Sequence, residues 1–70
     1  MELNLFFNSR AEYERAKNFF ENESAFYANE MNDEFRCLTF NEESSIDALE
    51  MAITDELNEN NFNGYWFEAA

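Results

Sequence analysis

The opening residues alternate, with Leu3, Leu5 and Phe7 on one side and Glu2, Asn4 and Phe6 on the other, which predicts a half-buried strand over Met1–Phe7. Asn8 and Ser9 break this period. Ser9 followed three residues later by Glu12 has the spacing of a capping box, so a helix is expected to start there. Tyr13, Ala16 and Phe20 then recur at helical spacing with Phe19 beside them, and the helix should fade near Asn22.

The middle of the chain has a shorter rhythm. Ser24–Asn29, holding Phe26 and Tyr27, predicts a brief strand. Asn29–Asp33 predicts a polar turn, and Glu34–Phe40 a second strand closing a hairpin. After the polar stretch Asn41–Ser45, with Ser44 placed three before Asp47, the residues Ile46, Leu49, Ile53 and Leu57 repeat at helical spacing to about Asn58. The Asn-rich loop Asn58–Gly64 leads to an aromatic final strand, Tyr65–Glu68.

Strand, helix, strand, strand, helix, strand is the order of two split βαβ units. One acidic α+β domain over residues 1–70 is expected, built as a ferredoxin-like two-layer sandwich: an antiparallel sheet with both helices on one face. An irregular α+β unit lacking the short second strand is the alternative. With no proline and one glycine, the turns must lean on asparagine, which tolerates the left-handed conformation.

Thirteen aromatic residues, nine of them Phe, make a packed core feasible in 70 residues, with no disulfide possible from the single cysteine. Cys37, inside the apolar stretch Phe35–Phe40, is expected to behave as a small buried hydrophobe. No basic stretch leading into an apolar run opens the sequence, and no apolar run approaches the roughly 18 residues of a membrane span, so a soluble, cytoplasmic chain is expected.

Charge changes the picture most. Sixteen Asp and Glu oppose four Lys and Arg, a net charge of −12. All four cations, Arg10, Arg15, Lys17 and Arg36, precede Cys37, and eight carboxylates follow it with no cation among them. Such a field repels nucleic acid and anionic membranes and draws basic surfaces. Direct contact with nucleic acid or membrane is therefore not expected.

Without histidine, the usual general base and His-paired nucleophiles are absent. The adjacent carboxylates Glu42 with Glu43 and Asp55 with Glu56 point about 100° apart on a helix, so they do not converge as an acid and base pair. No enzymatic activity is expected, and a carboxylate metal-dependent enzyme is the weakest of the readings. A lone Gly64 gives no phosphate loop, and Asn58–Gly64 lacks the ligand order of a calcium loop, so no cofactor or metal is expected. An open aromatic sheet face invites comparison with RNA-recognition modules, but Asp33–Phe40 lacks their basic and glycine positions.

The second helix is the remaining feature. With its apolar positions turned inward, Glu43, Asp47, Glu50, Asp55 and Glu59 distribute around its exposed arc with no Lys or Arg interleaved. Most charged helix faces are merely solvated and carry both signs, and an acidic surface kept for solubility is the plain alternative for this one. Carboxylates spaced along a helix of about 21 Å imitate a short run of phosphates, since duplex DNA presents one charge per about 1.7 Å. The expected function is a small acidic inhibitor that occupies a basic, nucleic-acid-binding surface of a partner protein, of the kind mobile elements use against host nucleases. Those five carboxylates are the expected partner-binding residues. The competing expectation is a regulatory or self-associating domain, a homodimer included, that uses an aromatic open sheet face furnished by Phe6, Tyr27 or Trp66.

Overall fold

A computed structural model describes residues 1–70. The elements run β1 (Glu2–Phe7), α1 (Arg10–Asn22), β2 (Glu30–Asn32), β3 (Cys37–Asn41), α2 (Ile46–Glu59) and β4 (Tyr65–Ala69). All four strands form one antiparallel sheet in the order β2-β3-β1-β4, the ferredoxin-like α+β arrangement.

Register determines the two faces. Leu3 lies opposite Phe40 and Leu5 opposite Leu38 across β1 and β3, while Leu5 and Phe7 face Phe67 and Tyr65 across β4. These side chains share the face on which both helices pack. Tyr13, Ala16, Phe19 and Phe20 of α1 and Leu49, Ile53 and Leu57 of α2 complete one core of 14 buried residues, with Leu5, Phe20, Leu49 and Ile53 together in it as the spacing predicts. No polar side chain is buried.

Both helix starts are serine caps. Ser9 Oγ accepts from Glu12 N at 3.1 Å, but the Glu12 carboxylate turns instead to Arg15 and to Asn63 N, so only half of the capping box forms. The second cap is Ser45, which accepts from Ala48 N at 3.1 Å. Ser44 is held outside the helix by Glu42, whose Oε1 accepts from Ser44 N.

The hairpin is shifted from its predicted place. The second strand lies at Glu30–Asn32, within the stretch expected to turn, and the turn falls between it and Cys37, with Arg36 at φ 53. Ser24–Asn29 is an irregular connection in which Ala28 is buried and Phe26 packs against the core. Its aromatic content reflects docking as a loop. The strand that does form has three exposed residues and is defined by backbone pairing to β3, which no side-chain pattern announces. At the end of α2 the reliance on asparagine is evident. Asn61 adopts φ 62 and returns the chain so that Phe62 N reaches Leu57 O at 2.9 Å and the Phe62 ring enters the core beside Phe7 and Phe19.

Candidate functional site

Two surfaces carry the candidate residues: the outer arc of α2 and the uncovered face of the sheet. On α2, Leu49, Ile53 and Leu57 are buried, so Asp47, Met51, Asp55, Asn58 and Glu59 are thrown outward and are all exposed. Glu50 sits on one flank and is half-buried. At about 100° per residue it points about 180° from Glu59, so these two carboxylates serve opposite sides of the helix. Glu43 lies before the Ser45 cap and is therefore outside α2, which removes it from an i, i+4 relation with Asp47 inside the helix. Asp55 and Glu59 do keep that relation, as like charges.

Between Asp47 and Asp55, one turn from each, Met51 is 70% exposed. An apolar, flexible side chain set among carboxylates was not singled out by charge reasoning. Its signal in the sequence is a methionine on the polar side of a clear amphipathic repeat. Glu56 was also passed over as a structural residue. Its carboxylate accepts from Ser24 Oγ and, at 3.1 Å, from Ala25 N, fastening α2 to the connection that follows α1.

The cations are spent elsewhere. Arg10 pairs with Glu14, Arg15 with Glu12, and Lys17 with Glu14 and Asp33. Arg36 Nε donates to Phe7 O at 3.0 Å. Thirteen of the sixteen carboxylates consequently have no cation within 4.0 Å, and every carboxylate of α2 is among them. Electrostatic pairing is confined to the α1 side, where hydrogen bonds from Tyr13 Oη and Lys17 Nζ hold Asp33 below its ordinary carboxylate range. Glu12 is likewise lowered by Arg15.

The open sheet face presents Glu2, Asn4 and Phe6 from β1, Cys37, Thr39 and Asn41 from β3, and Trp66 and Glu68 from β4. Phe6 and Trp66 stack with ring centroids 5.2 Å apart and planes 13° from parallel. Beside them a shallow groove of about 460 Å³ is lined by Phe6, Met31, Phe35, Cys37 and polar neighbours. Of the aromatics expected on this face, Phe6 and Trp66 meet. Tyr27 is exposed in the connection after α1 and does not line the groove, where Met31 and Phe35 stand instead. Thr39 Oγ1 donates to Asn4 Oδ1 at 2.7 Å, and burial pushes the Cys37 thiol up, away from the reactive thiolate form.

No three Cys, Asp or Glu side chains gather with the spacing of a metal site. No helix is long and apolar enough to cross a membrane. No protein-family model, curated protein or solved structure matches the chain.

Proposed function

We propose that this protein is a small acidic inhibitor that imitates nucleic-acid charge and blocks a basic, nucleic-acid-binding surface of a partner, such as a host defence nuclease of the CRISPR or restriction type. The observation that carries the reading is the outer arc of α2, where carboxylates extend along 14 helical residues with no cation within 4.0 Å of any of them. The fold has four cations and uses them on α1 and at the end of β1, and of the thirteen carboxylates left without one, five lie together on α2 with no cation interleaved. Met51 adds an apolar contact at the centre of that surface. The protein acts by occupancy and performs no chemistry.

Replacing Asp47, Glu50, Asp55 and Glu59 by Asn or Gln removes four charges at nearly constant size. Binding to a basic nucleic-acid enzyme should weaken at least about tenfold, chiefly through slower association, and its salt dependence should flatten. Wild-type protein should displace DNA from that enzyme while itself showing no affinity for DNA. Equal binding and displacement by the quadruple variant would sink the proposal.

A second reading is supported by the Phe6–Trp66 stack: a ferredoxin-like regulatory domain that associates with itself through its open sheet face. Light scattering should then show a dimer that Trp66→Ala dissolves with its secondary structure intact.

A further inference from the structure

The two edges of the sheet are unlike. At one, β2 is three residues long, carries Glu30 and runs into Asp33 and Glu34; short length and charge are the ordinary ways of blunting an edge. At the other, β4 has five residues with no proline, lysine or bulge, and three aromatic side chains, Tyr65, Trp66 and Phe67.

The ladder fixes which backbone groups are free. Asn8 N bonds Gly64 O at 2.7 Å and Ala70 N bonds Glu2 O at 2.9 Å, so by antiparallel alternation Gly64, Trp66, Glu68 and Ala70 point their amides and carbonyls at β1. Those of Tyr65, Phe67 and Ala69 point outward, with no strand beyond them. Phe67 and Tyr65 also lie half-buried at the margin of the core, where a further strand would cover them.

Charge selects the occupant. The flank of α2 bearing Asp47, Glu50, Thr54 and Asn58 is the one that meets β4, because Tyr65 Oη donates to Asn58 Oδ1 at 2.8 Å, while the opposite flank is tied by Glu56 to Ser24 and Ala25. On the other side of the sheet β4 presents Trp66 and Glu68. A strand added here thus has carboxylates on both sides, with Trp66 available to a cation. A second copy would bring two such acidic borders, each on a chain of net charge −12, against each other.

We infer that the β4 edge takes up an extended, lysine- or arginine-bearing segment of the partner as a fifth strand, through the amides and carbonyls of Tyr65, Phe67 and Ala69. This rests on the proposal that the partner is basic, and it adds how that partner is gripped.

The test uses two peptides of equal positive charge, one of alternating lysine and valine, extended, and one of lysine and alanine, helical. Trp66, the single tryptophan, lies on β4, so its emission reports binding at the edge. The alternating peptide should shift that emission and slow hydrogen exchange at the amides of Tyr65, Phe67 and Ala69 in the wild-type protein. Ala69→Pro removes one outward amide and no bond to β1. It should weaken the alternating peptide at least about tenfold, leave the helical peptide's binding unchanged, and retain the wild-type circular dichroism. If Ala69→Pro binds the alternating peptide as wild type does and those three amides gain no protection, the edge inference is overturned while the acidic-surface proposal stands. If neither peptide binds wild type, both fall. Sedimentation showing a wild-type dimer that Ala69→Pro abolishes would overturn the inference in favour of a second copy.

Discussion

The two strand–helix–strand halves share a plan and differ in how they handle charge. In the first, α1 packs aromatic residues into the core and surrounds them with ion pairs of its own: Arg10 with Glu14, Arg15 with Glu12, Lys17 with Asp33. In the second, α2 packs Leu49, Ile53 and Leu57 and leaves its carboxylates without cations. The halves are also unequal in dependence. α2 has no basic residue in its last turn, and Arg15 of α1 fills that role, donating to Asn60 O at 3.2 Å and Asn61 O at 3.1 Å while its guanidinium lies 3.8 Å from the centre of the Phe62 ring. The first half makes its own ion pairs and lends a cation to the second, which in return holds Ser24 and Ala25 through Glu56. The second is held by burial and by what the first supplies, which leaves its outer surface free of structural duty.

The harshest way to break the comparison is in the core that both halves share. Ile53 is fully buried. Ile53→Asp places an unpaired charge among apolar side chains, at a cost of about 4 kcal/mol or more. A domain of this size has on the order of 4 to 10 kcal/mol in total. Cooperative thermal unfolding should be lost, and retention of it would mean that α2 does not bury this face.

A subtler break removes the loan. Arg15→Ala takes away the two bonds to the end of α2, the contact over Phe62 and the Glu12 pair together, for a loss of about 2 kcal/mol, discounted for the partial exposure of the side chain. Hydrogen exchange in the last turn of α2 should accelerate more than in α1. A uniform change across both helices would mean that the two halves depend on Arg15 alike.

What was legible in the sequence follows the same division. Elements with a buried face declared themselves, because Leu3, Leu5, Phe7 and Leu49, Ile53, Leu57 repeat with the periods of strand and helix. Glu30–Asn32 did not, since its side chains are all exposed and its existence depends on pairing with β3. The charge imbalance of α2 was readable from composition along the chain. The partition of its carboxylates was not. Glu56 became structural only when folding brought Ser24 and Ala25 to it from 32 and 31 residues away, and Glu43 fell outside the helix because Ser45, one residue further on than expected, took the cap. The service of Arg15 to α2 spans 45 residues and has no local signature.

The contact between α1 and the β2–β3 turn gives a smaller, pH-dependent effect. Tyr13 Oη at 2.6 Å and Lys17 Nζ at 3.1 Å hold Asp33 below its ordinary value of 3.8. A carboxylate depressed in the folded state adds stability above its unfolded pKa and loses it as pH falls through the folded one. The same contact raises Lys17 above its ordinary 10.5, so that part of the stabilisation is present below 10.5 and lost as pH rises through the folded value. Asp33→Asn should therefore be less stable than wild type by a constant margin between about pH 5 and about pH 8, and the margin should close below pH 3.8. A margin absent at every pH would show that the side-chain oxygen, which Asn retains, rather than its charge, does the holding.

The finest comparison neutralises one carboxylate system in each helix and reads the sign of the change. Glu12→Gln weakens a pair with Arg15 and a bond to Asn63 N, and should lower the urea midpoint by the equivalent of about 0.5 to 1 kcal/mol. Asp55→Asn with Glu59→Gln should do the reverse. These residues repel each other one turn apart and Glu59 opposes the helix dipole near its carboxyl end, so their removal should raise stability by about 0.2 to 0.5 kcal/mol from the pair, with a few tenths more from the dipole. Both differences should shrink in high salt, because the groups are solvent-facing. Opposite signs would mean that α1 keeps its carboxylates for the fold and that α2 keeps Asp55 and Glu59 against the interest of the fold, which is what a surface selected for a partner requires. If the α2 double variant is instead destabilised, these carboxylates have a structural role within the chain, and their lack of cations no longer argues for a basic partner.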